Sequence, residues 1–215
     1  VPSAWERWNA DVALGWTPDE NTWLELMGGK SDGEALYAGR DMDGSRFARE
    51  SLGLRFEKKN LTDVIQKVEG QVNYSYNDHV MDNFRLRTPP MTHDMMTHQM
   101  VANPSEMQVT RRTLNTRFAM TSEWDKLNLI TGIDSQQNHH VGSMKSLMMD
   151  MPLTTNMKFQ SYGAFAELGY QWSENSKLVT GARLDQVKID ALKLNDDRSE
   201  TLPSGFIRLE NQHPE

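Results

Sequence analysis

The chain has no cysteine. That removes any disulfide framework and any thiolate metal ligand from these 215 residues. It also lacks a long apolar run, and no stretch approaches the ~18–20 residues that a membrane helix needs. Basic residues are outnumbered, 23 Lys and Arg against 30 Asp and Glu, for a net charge of −7. No nucleic-acid partner is expected, because phosphate binding needs a basic face. There is no His-Glu-x-x-His and no phosphate-binding glycine loop, so no enzymatic activity is expected. No basic-then-apolar leader follows Val1, and Asn211-Gln-His-Pro-Glu215 follows what reads as the middle of a strand. The chain therefore reads as a segment of something longer.

What is present is a period of two. Trp8, Ala10, Val12, Leu14 and Trp16 alternate with Asn9, Asp11, Ala13 and Gly15. Leu52, Leu54 and Phe56 alternate with Gly53, Arg55 and Glu57. Val68, Val72, Tyr74 and Tyr76 share one parity, and Lys67, Glu69, Gln71, Asn73 and Ser75 the other. Ala164, Ala166, Leu168, Tyr170 and Trp172 face away from Phe165, Glu167 and Gln171. Such alternation is a strand signal. Nine strands are expected, near 5–16, 22–28, 46–57, 63–77, 109–121, 126–136, 160–172, 177–189 and 204–212.

Several of these runs exceed the usual globular strand and suit the ~9–11 residues of a membrane-crossing one. Short polar turns fall at 17–21, 57–60, 121–125 and 173–176, with long polar excursions near 28–46, 85–108, 137–158 and 190–205. Short turns on one rim and long loops on the other describe an all-β fold, a segment of an antiparallel transmembrane β-barrel. Trp16, Trp23, Trp124 and Trp172 lie by the short turns, where an aromatic girdle belongs. Leu14, Leu54, Val72 and Leu168 are expected to face lipid and Asn73 the lumen. Nine strands leave unpaired edges, which hydrocarbon does not tolerate, so further strands are expected from the rest of the protein.

Most of the fourteen methionines and four of the six histidines lie between Leu86 and Phe159. One group is Met91, His93, Met95, Met96, His98, Met100 and Met107. The other is His139, His140, Met144, Met148, Met149, Met151 and Met157. Thioether sulfur and imidazole nitrogen are soft and borderline ligands that select copper, Cu(I) above all. Methionine usually fills core gaps, but here it is mixed with Thr, His, Asp and Gln without a helical or strand period. His79 and Met81, at i and i+2 on one strand, point to one side, the polar side of Ser75, Asn73 and Gln71. Asp41, Asp43, Asp78, Asp82, Asp94 and Asp150 flank these groups and are expected to draw cations.

Ser161-Tyr-Gly-Ala-Phe-Ala-Glu-Leu-Gly-Tyr-Gln-Trp172 with Leu178-Val-Thr-Gly-Ala-Arg-Leu-Asp185 resembles the paired strands of TonB-dependent outer-membrane receptors. Tyr37-Ala-Gly-Arg-Asp-Met-Asp-Gly44, Asp78-His-Val-Met-Asp-Asn83 and Leu202-Pro-Ser-Gly-Phe-Ile-Arg-Leu-Glu-Asn211 look like the copper-receptor branch of that family. The resemblance implies a barrel of ~22 strands around an N-terminal plug, energised by the TonB complex. On that reading residues 1–215 are part of one outer-membrane β-barrel domain, and the plug is absent from the chain. The copper ion, Cu(I) or Cu(II), is the transported ligand. It implies a Cys-x-x-x-Met on the plug and a His-x-Met on the wall, and only the wall half maps here, onto His79 and Met81. The expected partners are the plug, the remaining strands, the TonB complex and outer-membrane lipid of a Gram-negative cell. Two alternatives stand beside uptake of copper: a receptor of the same architecture for a siderophore-type chelate, and an outer-membrane hydrolase using Asp78-His79.

Overall fold

The structure, a computed structural model, describes residues 3–191 and 196–211. It contains eleven strands among those residues: β1 Ala4–Asp19, β2 Thr22–Leu36, β3 Asp43–Lys59, β4 Ile65–Asp82, β5 Met91–His93, β6 Met100–Ala102, β7 Glu106–Trp124, β8 Leu127–Ser146, β9 Met149–Ser173, β10 Ser176–Ala191 and β11 Asp196–Asn211. Nine form one sheet in the order β1-β2-β3-β4-β7-β8-β9-β10-β11, and each pairs antiparallel with its neighbours. The short β5 and β6 make a separate hairpin in the long β4–β7 connection. Residue 212, expected in the last strand, lies outside the described residues.

The nine expected strands are all there, but longer than alternation alone marks them. The excursion expected at 137–158 is mostly strand: β8 runs to Ser146 and β9 starts at Met149. The one expected at 28–46 shrinks to 37–42. Part of the 190–205 excursion is β11, and residues 192–195 lie outside the described residues. Among the described residues only 83–105 is a long connection. The reason is physical. Beyond the apolar band a strand faces lipid on neither side, so it is polar on both faces and its period disappears.

Cross-strand partners share a face, so the register sorts the wall. Leu14, Leu26, Leu54, Val72 and Thr116 form one lateral row. Asp11, Gly29, Ser51, Ser75, Thr113 and Asn138 form a row on the opposite, polar face. Leu168 falls on the apolar face with Leu129 and Thr180, and Asn73 on the polar one with Gly53 and Asn115. The polar face also carries an ion network. Arg183 donates to Asp134 at 2.8 Å and 2.7 Å and to Asp185 at 2.7 Å. Among the described residues only Val80, Ala119 and Val179 are buried hydrophobics, while Val12, Leu14, Ile133 and Ile207 are all more than half exposed. A sheet this large with no apolar core buries its apolar face in something other than itself, as a lipid-facing wall does.

Three tryptophans relate the register to a tilt. Trp16, Trp124 and Trp172 share the apolar face near the short turns. Following the lateral pairs from Trp16 leads to Phe118 on β7 and Ala164 on β9, six and eight residues short of Trp124 and Trp172. If the three indoles sit at one level, that slant over four and six strand spacings means strands tilted by about 40–45°, at ~3.3 Å per residue and ~4.8 Å per strand. Outer-membrane barrels tilt by ~35–45°. Trp23 departs from the expected girdle. It pairs with Glu57 on the polar face, under the Arg55 guanidinium 4.9 Å from its ring centroid. Its near neighbour Leu24, one residue on, takes the apolar side.

Candidate soft-metal site at the polar rim

The polar face near the ends of β4, β7, β8 and β9 carries a row of methionines. Met81 pairs with Met107, Met107 with Met144, and Met144 with Met151. Directly opposed side chains on neighbouring strands have Cβ atoms ~4.5–5.5 Å apart. Three strand spacings make the row about 14 Å long. Met107, Met144 and Met151 are each a little over a third exposed, so the sulfurs line an open surface. Met149, paired with Ser146, adds a thioether one step nearer the β8–β9 turn. Met148 projects from that turn and is 94 % exposed.

His79 lies one step below Met81 on the same face, paired with Phe47 and Val109. The Phe47 ring covers it, with centroids 4.4 Å apart. The same ring lies over Gly44, where an added Cβ would collide with it. Gly44 is the partner of Met81, and a bulge beside it, between Gly44 and Arg46, breaks the register. Bulges of this kind re-aim side chains. His79 Nε2 is buried and, among the described residues, has no hydrogen-bond partner. A buried ring nitrogen without a partner is costly, and a ligand is one way to satisfy it. Among the described residues no three His, Cys, Asp or Glu side chains converge as a metal site. The soft ligands here are one imidazole and a line of thioethers.

The other expected ligands divide. His139 and His140 point to opposite faces. His139 Nε2 is 2.9 Å from Thr155 Oγ1 on the apolar-side parity, away from the methionine row. His140 stays on the polar face, paired with Arg111 and Met157, two steps below Met107 and Met144. His93 and Met100 pair in the β5–β6 hairpin, with Met91 two residues away on the same face. Met95 and Met96 are 80 % and 93 % exposed in its turn. The Asp94 carboxylate caps that turn, accepting the Met96 amide at 2.8 Å. The Met96 amide and the Thr97 side chain hold it below the usual carboxylate range.

Three more of the acidic residues, Asp43, Asp82 and Asp78, are taken up by hydrogen bonds and ion pairs. Asp43 and Asp82 are partners across β3 and β4, and both are fully buried. Arg87 donates to Asp43, to the Tyr37 carbonyl at 2.9 Å and to the Arg40 carbonyl at 2.5 Å. Its guanidinium is pushed above its ordinary value, first by the Asp43 hydrogen bond. Arg85 bridges Asp82 and Glu106, each at 2.7 Å. Asn83 holds the far end of the loop, donating to the Asn103 carbonyl at 3.0 Å and accepting the Ser105 amide at 2.8 Å. These carboxylates anchor the 83–105 connection beside Met81. Asp78 is likewise taken, by Arg46 at 3.1 Å and Gln108 at 2.8 Å. It faces away from His79, which removes the Asp78-His79 pairing a hydrolase needs. Gly29-Lys-Ser-Asp-Gly33 has nucleophile-elbow spacing, but Ser31 lies within β2, paired with Asn9 and Arg49, and not at a strand-to-helix turn.

A long-stranded antiparallel wall, apolar outside and polar inside, with soft ligands at its open rim, defines a class of outer-membrane barrel. Over residues 1–210 the sequence matches the TonB dependent receptor-like, beta-barrel family, and the chain belongs to it. This is a family of receptors and transporters, not of enzymes. A solved structure titled "Copper transporter OprC" is 45 % identical, with a TM-score of 0.85, covering 99 % of this chain and 35 % of that one. The structure of BauA, the ferric preacinetobactin receptor from Acinetobacter baumannii, is 10 % identical with a TM-score of 0.63. It is matched over 96 % of this chain and 37 % of its own. The FpvAI–pyocin S2 complex is 11 % identical, with a TM-score of 0.60 over 93 % and 32 %. The last two share the fold alone. The chain spans about a third of the length of each of these structures. No curated protein sequence matches it.

Proposed function

We propose that this chain is part of the wall of an outer-membrane receptor that takes up copper, with the metal ion as transported substrate. One observation carries the reading: the Met81–Met107–Met144–Met151 row ends beside the unpartnered Nε2 of His79. The 45 % identity to a copper transporter supports it. Exposed thioethers on Met148, Met149 and the β5–β6 hairpin capture the ion at the rim. The methionine row passes it inward as a series of weak sites, weak enough to release as well as bind. His79 and Met81 supply an imidazole and a thioether of the inner site, which a plug inside the complete barrel would complete. The plug, the remaining strands and the TonB complex are the partners this reading requires, and the outer membrane its place.

The test uses the complete receptor. Purified protein is exposed to copper or silver(I), washed, and its metal content measured. His79→Ala with Met81→Ala is expected to lose the retained ion. Met107→Ala with Met144→Ala is expected to slow loading and leave the final occupancy. Zinc is expected to load less, since thioethers favour Cu(I). Full copper retention in the His79/Met81 double variant would remove both residues from the site.

A further inference from the structure

The β5–β6 hairpin holds a ligand set separate from the methionine row. Its two strands pair Met91 with Ala102, Thr92 with Val101 and His93 with Met100. Pairing and parity therefore put Met91, His93 and Met100 on one face and Thr92 and Val101 on the other. The turn brings in a second imidazole. The Asp94 amide donates to the Gln99 carbonyl, and the His98 amide donates to the Asp94 carbonyl at 2.9 Å. His98 is left-handed, with φ of 53°. Histidine is one of the few residues besides glycine that adopt this conformation readily, and here it turns the chain back toward β6. The His98 ring then lies 5.8 Å from the His93 ring, centroid to centroid. Two imidazoles bound to one ion at ~2.0–2.1 Å put their centroids roughly 4.5 Å apart at a right angle and about 6.4 Å apart in line, so the two rings lie within the reach of one ion. His93, His98 and Met100 are all exposed, so an ion reaches them from solvent. Asp94 Oδ1 accepts the Met96 and Thr97 amides of the turn.

We propose that His93, His98 and Met100 form a discrete outer site for divalent copper, Cu(II). The chemistry separates it from the row below. Imidazole nitrogen is a borderline ligand that suits Cu(II), whereas a row of thioethers suits Cu(I). Among divalent first-row ions, Cu(II) binds such donors most strongly. The hairpin is held at the rim by the Arg87–Asp43 and Arg85–Asp82 anchors of its connection. It thus presents a Cu(II) site that is spatially separate from the thioether row. This inference rests on the copper reading above.

The test is electron paramagnetic resonance of the complete receptor loaded with Cu(II), in a His79→Ala/Met81→Ala background that removes the inner imidazole. The expected spectrum contains a Cu(II) population with splitting from two nitrogens. His93→Gln with His98→Gly is expected to abolish that population. Glycine accepts the left-handed backbone at 98, so the turn survives the substitution. Thr92→Ala, on the reverse face, is expected to leave the spectrum unchanged. Retention of the two-nitrogen signal in the His93/His98 variant overturns the proposal. So does its displacement by an equal concentration of Zn(II). Failure of the copper reading shows elsewhere, as unchanged silver(I) retention in the His79→Ala/Met81→Ala variant.

Discussion

An arginine placed at Val72 tests the orientation of the whole wall. Trp16, Trp124 and Trp172 mark the short-turn edge of the apolar band. A band ~25 Å tall crossed at about 40–45° leaves roughly 17 Å of strand between that edge and the midplane, about five residues. Counting back to the nearest apolar-face positions, four residues from Trp172 reaches Leu168 and six from Trp124 reaches Phe118. The slant of the lateral pairs carries the same level through Val72 on β4 and Leu54 on β3. Val72→Arg is therefore expected to cost ~2–4 kcal/mol in the complete barrel, the range for a cation at the bilayer midplane. Tyr76→Arg, on the same face but near the outer edge of the band, is expected to cost ~0–1 kcal/mol. Asn73→Arg, one residue from Val72 but on the polar face, is expected to cost little. The assay is denaturant titration of the complete receptor folded in lipid vesicles, read by heat-modifiable gel mobility. Each ~1.4 kcal/mol is tenfold in the folding equilibrium, so the spread between Val72 and Asn73 is readily measured. Equal costs at these two neighbours would refute the register. A cost at Tyr76 matching that at Val72 would refute the depth.

Arg87→Ala removes the partner of the buried Asp43 carboxylate and is expected to speed proteolytic cleavage within 88–104, with the barrel itself still heat-modifiable. Unchanged cleavage would mean that the Arg85 and Asn83 contacts hold the connection alone. The Asp94 cap is depressed in the folded hairpin, so its contribution is complete above the unfolded value of 3.8 and is lost as pH falls through the lower folded value. Amide exchange at Met96 is expected to be pH-stable, after correction for intrinsic rate, until that window is reached. Asp94→Ala is expected to give the unprotected rate at every pH. Met107→Ala is expected to slow copper or silver(I) loading more than Met95→Ala, because Met107 interrupts the row while Met95 is one of several exposed thioethers. Stopped-flow loading measurements separate the two, and equal slowing would count against transfer along the row.

What could be read from the sequence follows where lipid imposes a period. Between the Trp level and the outer edge of the band, one face must be apolar, and Leu54, Val72 and Leu168 announce their side and their strands. The face on which His79 and Met81 lie was legible for the same reason, since parity extends from Asn73 and Ser75 along one unbroken strand. Beyond the band the constraint ends. Residues 137–146 and 149–158 mix polar residues with methionine on both sides without a period and resemble a loop, although they are the upper halves of β8 and β9. Their turn, Leu147-Met148, has none of the Asn-Gly or Asp-Gly chemistry that marks a two-residue hairpin.

The methionine row was hidden by that missing register. Met81, Met107, Met144 and Met151 are up to 70 positions apart in sequence, and only the pairings of four strands bring them side by side. One local signal was available: Met144 and Met151 stand symmetrically about Leu147-Met148, as partners in a hairpin must. The roles of Asp43 and Asp82 were hidden in another way. Six acidic residues among soft ligands suggest a field that draws cations, and charge alone cannot separate a free carboxylate from a paired one. Arg85 and Arg87 follow Asp82 closely enough to fold back onto it and onto its cross-strand partner Asp43. Both carboxylates are thereby spent on anchoring the loop. On the proposed reading, selection of the ion at the rim falls to sulfur and imidazole, whose preference for copper does not depend on net charge.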